Sequence, residues 1–154
     1  MKTLHFPSPI QSITFDKHHF YLKRDDLIDA DFSGNKARKF YYFLQHDFPD
    51  IHKLISYGSA QSNAMYSLSV LAKMKEWEFE YVVDHIADYL KEHPHGNYKA
   101  ALDNGMKIIE EESVSCTYPK NVLFIEEGGR QKEAAFGLRA LAEEIAAWQE
   151  ENDV

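Results

Sequence analysis

Positive charge is in short supply: 17 Lys and Arg stand against 25 Asp and Glu, a net charge of −8 at pH 7. A phosphate backbone needs a basic footprint, so nucleic acid is not an expected partner. One cysteine, Cys116, excludes an internal disulfide and fits a reducing compartment. No apolar run reaches the length of a membrane span, and Met1 to Pro7 lacks the apolar stretch of a signal peptide. The chain is therefore expected to be cytoplasmic, with no membrane partner. Neither G-x-x-x-x-G-K-[ST] nor G-x-G-x-x-G occurs, which removes the usual marks of nucleotide binding. Gly58-Ser59-Ala60-Gln61-Ser62 lacks the second glycine of a nucleophile elbow, which argues against a serine hydrolase. The pairs His18-His19 and His93-Pro94-His95 lack the i,i+4 spacing and the carboxylate and cysteine company of zinc ligands, so no metal is expected. Asp25-Asp26 is expected to cap or to pair with Lys23 and Arg24 rather than to hold magnesium.

What the chain does have is a core: 44% of its 154 residues are hydrophobic and 14% aromatic, which places it among folded globular proteins. Ser12 to Phe15 and Phe20 to Lys23 are short and rich in β-branched and aromatic residues, and Asp16-Lys17-His18-His19 between them suggests a hairpin. From Asn35 to His46 the spacing turns helical, with Phe40, Phe43 and Leu44 on one side. Leu54 to Tyr57 reads as a buried strand, Ser62 to Lys75 as a helix, and Glu78 to Val83 as another strand. Asp84 to His93 and Tyr98 to Asn104 read as helices; Met106 to Ile109 and Val122 to Ile125 read as strands. The last helix, Lys132 to Gln149, carries Ala135, Leu138, Leu141, Ala142, Ile145 and Trp148 as one apolar stripe. This alternation predicts right-handed crossovers and an α/β fold built on a mainly parallel sheet. Acid pairs crowd the last third, from Glu110-Glu111-Glu112 to Glu150-Glu151, and read as a solvated face.

Two polar, glycine-marked helix starts stand out. Ser33-Gly34-Asn35-Lys36-Ala37-Arg38-Lys39 opens one helix, and Gly58-Ser59-Ala60-Gln61-Ser62-Asn63 opens the next. Successive βα units of a parallel sheet bring such starts to the end where ligands gather. Cations are unfavourable at a helix N-terminus, yet Lys36, Arg38 and Lys39 cluster there. A lysine so placed has its ammonium form disfavoured, and a neutral amine can attack an aldehyde. Solvated lysines on an amphipathic helix are the ordinary alternative. At the second start Ser59, Gln61, Ser62 and Asn63 surround free N–H groups suited to a carboxylate or phosphate. N-capping by Ser59 or Ser62, worth about 1 kcal/mol, is the ordinary alternative there.

Taken with Leu22-Lys23-Arg24-Asp25-Asp26-Leu27, His95-Gly96-Asn97-Tyr98-Lys99 and Glu127-Gly128-Gly129-Arg130, these segments resemble the 1-aminocyclopropane-1-carboxylate deaminase and D-cysteine desulfhydrase family. That family lies among the fold-type II pyridoxal phosphate enzymes, the group of the tryptophan synthase β subunit. The resemblance implies a three-layer αβα fold, with a small domain and only part of the large one. Residues 1–46 would hold the N-terminal strands and the cofactor-lysine helix, 47–125 the small βαβ domain, and 126–154 a helix returning to the large domain. Lys36 would hold pyridoxal 5'-phosphate covalently and act in catalysis, and Asn63 would hydrogen-bond its ring oxygen. Ser62 would sit beside the substrate carboxylate or assist proton transfers, with Ser59, Gln61 and Asn63 completing the substrate contacts. Lys39 would reach the cofactor phosphate. The implied reaction takes a small amino acid, of the 1-aminocyclopropane-1-carboxylate or D-cysteine type, to a 2-oxo acid and ammonia.

Family members are longer, and the part that would follow Trp148 supplies a glycine-rich phosphate cradle, a partner for the pyridine nitrogen and a tyrosine near the substrate. Gly128-Gly129-Arg130 is the one cradle candidate here, flanked by the acids Glu126 and Glu127. The chain is accordingly expected to be a fragment, a split product or a truncated gene product. It would work as a homodimer or with a complementing chain, and an apolar face would lie open where the absent half packs. A non-catalytic remnant that keeps the small domain is the second expectation.

Overall fold

Among the described residues, the first two β-rich runs pair with each other and with no other strand. In the computed structural model, which describes residues 4–115 and 117–153, β1 (Ile10–Phe15) and β2 (His18–Lys23) form an antiparallel ribbon. Cys116, read above as a lone thiol, lies outside the described residues, as do Met1 to Thr3 and Val154. The turn is tighter than expected. Phe15 pairs with His18, and only Asp16 and Lys17 intervene, both at positive φ. Two such residues match the type I′ geometry whose twist suits a two-residue hairpin.

After a 3-10 turn at Asp25–Leu27 come α1 (Gly34–Gln45), β3 (Lys53–Tyr57), α2 (Asn63–Lys75) and β4 (Glu78–Val83). They are followed by α3 (Asp88–Glu92), α4 (Gly96–Asp103), β5 (Met106–Glu110), β6 (Val122–Phe124) and α5 (Ala134–Asn152). The helix expected from Asp84 shrinks to five residues. The 84–87 stretch is not helical, and the Ile86 amide donates to the Glu110 carboxylate at 3.2 Å.

β3 to β6 form one four-stranded sheet in the order β5-β4-β3-β6, every pair parallel. The fold is α/β, as the alternation of elements predicts. Alternate residues of each strand face opposite sides. Leu54, Phe79, Tyr81, Val83 and Met106 join Met65, Leu68 and Leu71 of α2 in one buried cluster. Phe40, Phe43 and Leu44 of α1 complete that cluster, so the expected apolar side of α1 is indeed its buried side. Each such side chain contributes on the order of 1.5–3 kcal/mol through burial. The opposite face carries Ile55, Tyr57 and Phe124. Tyr57 and Phe124 stack at 5.8 Å between ring centroids, and Tyr118 stacks on Phe124 at 5.2 Å.

β6 returns from beyond β5 to lie beside β3, so the strand order reverses between β3 and β6. Their carboxyl ends, and the turns that follow them, therefore flank a topological switch point, where open α/β sheets hold ligands.

α5 packs on α1 through Gly137, which is buried against the Arg38 backbone so closely that a side chain there would strike the Arg38 carbonyl. Ala134 and Gly137 are its buried residues, whereas Leu138, on the expected stripe, is 40% exposed. The ribbon lies on α5 with one face only, where Tyr21 meets Trp148 at 4.7 Å and Lys23 pairs with Glu144 at 2.6 Å. Its other face holds Ile13, Phe15, Phe20 and Leu22, and Phe15 is 74% exposed. An apolar ribbon face of this kind is open to a partner.

Candidate functional site

Lys36 and Lys39 sit one turn apart on α1, three residues apart and so on one side of the helix. Both ammonium groups donate to the carbonyl oxygen of Gly128, each at 3.1 Å. That oxygen belongs to the turn after β6. The helix itself begins at Gly34, whose φ of +66° makes the sharp entry that a glycine permits, and no side chain caps its first N–H groups. No acid lies in the first turn either. The positive end of the helix thus points at a pair of cations with one carbonyl between them.

This setting disfavours charge on Lys36. Burial lowers the ammonium's pKa first, then the charges of Lys39 and Arg130, against a smaller opposing effect from Glu127. Of the neighbouring cations the sequence suggests, Lys39 acts on Lys36 and Arg38 does not; Arg130 is the addition. Arg38, two residues on, is turned to the far side of α1.

Arg38 is instead the buried anchor of the N-terminal region. Its guanidinium is 1% exposed and donates to both oxygens of Asp25 and of Glu144, the closest pairs at 2.7 Å. It also donates to Ser8 Oγ and lies 4.6 Å over the Phe6 ring. Of the two acids expected to cap or to pair locally, Asp26 does pair with Arg24, at 2.7 Å, while Asp25 joins this buried network.

The second helix start follows β3. Ser62 is the N-cap of α2: its Oγ accepts the amides of Ala64 at 3.1 Å and Met65 at 3.5 Å. Ser59, exposed, accepts the Ser62 amide at its carbonyl at 3.1 Å. Asn63 Oδ1 accepts from Asn97 at 2.7 Å, and Asn97 also donates to the Gln61 carbonyl. Gln61 has a role the sequence did not disclose. Its Oε1 accepts the Tyr98 amide at 3.3 Å and its Nε2 donates to the His95 carbonyl at 3.2 Å. His95 makes no side-chain cap, so Gln61 supplies the cap of α4 from another element. The 95–98 segment therefore fixes the 59–63 turn.

Gly58 joins the two halves of the site. It has a φ of +142°, and the space a Cβ would fill there is occupied: Tyr81 Oη lies 2.6 Å from that point, Glu127 Cγ 3.2 Å and Glu127 Oε1 3.3 Å. Glu127 stands next to Gly128, so the lysine turn and the serine turn meet around the 126–130 segment. Tyr81 is wholly buried, and among the described residues no hydrogen bond of ordinary geometry reaches its hydroxyl, although Ser62 lies close by. Burial pushes its pKa up to about 12, with Ser62 acting in the opposite sense and Glu127 adding to the rise. Gly58→Ala should therefore combine a strained backbone with a clash, and we expect it to cost about 1–3 kcal/mol in chemical denaturation. An unchanged midpoint would mean that the turn relaxes freely.

A cleft of about 620 Å³ opens at the same ends of the strands, between Tyr57, Gly58, Val82, Phe124 and Glu126. Lys36 is not on its wall, so cleft and lysine are separate features of one end of the sheet.

The site can be tested for pyridoxal phosphate on these observations. A half-buried amine with a disfavoured charge, a glycine notch and an orphaned buried hydroxyl fit the lysine side of such a site. The phosphate side has no matching cradle among the described residues. Gly128 offers its carbonyl rather than an amide to the lysines, and Gly129 packs on the Phe40 ring. No group of three His, Cys, Asp or Glu arranged to hold a metal occurs among the described residues, and no helix there is long and apolar enough to cross a membrane.

No protein-family model matches the chain, and no curated protein does. Among solved structures, a hydrogen sulfide-producing enzyme from Fusobacterium nucleatum aligns with a TM-score of 0.45 and 12% identity, over 89% of this chain and 38% of that one. An ACC deaminase homologue aligns with a TM-score of 0.72 and 20% identity, over 94% of this chain and 49% of that one. The chain thus has the α/β fold of an ACC deaminase homologue and spans about half of that protein's length.

Proposed function

We propose that this chain carries the lysine half of a pyridoxal phosphate site, in a deaminase or desulfhydrase acting on a small amino acid of the 1-aminocyclopropane-1-carboxylate or D-cysteine type. The products would be a 2-oxo acid and ammonia, with sulfide from D-cysteine. The single observation that carries the reading is the Lys36 amine, half-buried and held at the Gly128 carbonyl among other cations. When bound, pyridoxal phosphate would supply an electron sink for charge developing on the substrate carbon.

The chain's own residues would do the rest. Lys36, populated as a neutral amine more than an ordinary lysine, would bond the cofactor and move a proton at the substrate carbon. Lys39 would face the cofactor phosphate. Ser62 and Asn63, at the positive end of α2, would receive the substrate carboxylate and the ring oxygen. Ser59 would line the same turn. Gln61 would contribute by holding that turn on α4 through its cap.

Coverage of about half the matched structure, with no cradle among the described residues, favours one second reading. In it, the chain works only with a complementing chain or a second copy, or remains a non-catalytic remnant. The open ribbon face at Phe15, Phe20 and Leu22 would receive the partner.

The test is direct. Purified chain with pyridoxal phosphate is expected to develop a yellow absorption band and to release 2-oxo acid from one of the two amino acids. A band without turnover would select the half-site reading, and a colourless protein would refute the proposal.

A further inference from the structure

Tyr81 is the one fully buried phenol whose hydroxyl finds no hydrogen bond among the described residues, and it points at the junction of the site. β4 alternates, so Phe79, Tyr81 and Val83 all face the core, and Tyr81 is long enough to reach past the sheet end to Gly58. Only a residue without a Cβ leaves room for it. A buried hydroxyl left without an acceptor costs about 1–3 kcal/mol, so its placement calls for a partner. Two polar side chains are near. Ser62 Oγ already accepts two amides of α2 and acts on Tyr81 in the sense of a donor, so it does not take the phenol's own proton. Glu127 is acceptor-only when ionised, and its Oε1 lies beside the same notch, 3.3 Å from the absent Cβ of Gly58. Its other oxygen makes a long, exposed contact of 3.3 Å with Arg130. Oε1 and the phenol thus both border the space that a Cβ at Gly58 would fill.

We propose that Tyr81 is a positioning residue of this site: its hydroxyl donates across the Gly58 notch to Glu127 and holds that carboxylate beside the Lys36 amine. Among the described residues, Glu127 is the anion that acts on Lys36; Lys39 and Arg130 act against it. Without the phenol, Glu127 is held only by its exposed contact with Arg130, and Lys36 loses a fixed anion beside it. The inference rests on Lys36 being the reactive amine, but its readout needs no cofactor.

Reductive methylation with ¹³C-formaldehyde followed by NMR titration reads the ionisation of Lys36, its resonance identified by its loss in Lys36→Arg. Tyr81→Phe removes only the hydroxyl, and Glu127→Gln removes only the charge. Each is expected to lower the Lys36 midpoint by about 0.5–1 pH unit, the size of one nearby charge at a partly exposed group. The double variant should shift it no further than the larger single change. A merely structural tyrosine would leave the midpoint in place, or its effect would add to that of Glu127→Gln; either result overturns the inference. Because the titration is run without cofactor, that outcome is distinct from a wild-type chain that never captures pyridoxal phosphate, which would refute the functional reading instead.

Discussion

Arg38→Ala is expected to lower folding stability by about 3–5 kcal/mol, the cost of removing one partner from a buried ion network. The side chain is 1% exposed and serves two carboxylates from different parts of the chain, Asp25 before α1 and Glu144 on α5. In the intact chain these acids are only 16% and 14% exposed, and removal of Arg38 leaves Lys23 as the remaining cation beside them. It also takes a cation from the face of Phe6 and a donor from Ser8. Urea unfolding at pH 7 reads the loss as a lower midpoint with an unchanged slope. A loss under about 1 kcal/mol would mean that the N-terminal region and α5 are not held by this network.

The same network predicts a dependence on pH. Burial acts to raise the Asp25 and Glu144 carboxyls, yet hydrogen bonds and charge from Arg38 and Lys23, with Ser8 at Asp25, hold both below the usual carboxylate range. A carboxyl with a depressed folded pKa binds fewer protons folded than unfolded at mildly acidic pH. Its contribution is therefore full above the ordinary carboxylate range and is lost as pH falls through the depressed folded values. Wild-type stability should fall steeply on the acid side, and Arg38→Ala should flatten that fall.

Lys36→Ala is expected to abolish the yellow band with pyridoxal phosphate, and Lys36→Arg to do the same, since neither side chain offers an amine that can condense with an aldehyde. Burial, then Lys39 and Arg130, lower the Lys36 pKa, so the neutral amine gains population as pH rises through a value below the ordinary lysine range. Capture by the wild-type chain should accordingly accelerate with pH and level off earlier than for a solvated lysine. Lys39→Ala removes one of the depressing charges and should move that levelling to higher pH while keeping the band. A band that survives Lys36→Ala would place the reactive amine elsewhere.

Local pattern carried most of the elements. The run from Lys53 to Val83 shows strand, helix and strand by its own periodicity, and Ser62 was already a candidate cap before a helix whose Met65, Leu68, Ser69 and Ala72 are buried. Spacing also hinted at what was missed around Lys36. Position 38 lies about 200° around the helix from position 36, whereas 39 lies close to it. Arg38 could thus have been separated from the lysine pair, though its partners, Asp25 and Glu144, could not have been named.

Long-range placement was not legible. Nothing local says that β6 crosses back to pair with β3, because parallel pairing depends on faces that only the assembled sheet defines. That crossing is what carries Glu127 and Gly128 to Lys36 and Gly58. The cap that Gln61 makes on α4 is equally invisible, since capping partners are ordinarily sought within the same turn of chain. On α5, apolar periodicity pointed to a broad stripe, but close approach to α1 selected Ala134 and Gly137, the residues with the least side chain.

The most direct measurement is the position of a trapped adduct. The wild-type chain is treated with pyridoxal phosphate at low stoichiometry, reduced with borohydride, digested and mapped by mass spectrometry across its lysines. The account predicts the label at Lys36, before any other lysine. Label spread over exposed lysines such as Lys91 and Lys107, with Lys36 unmodified, would contradict it.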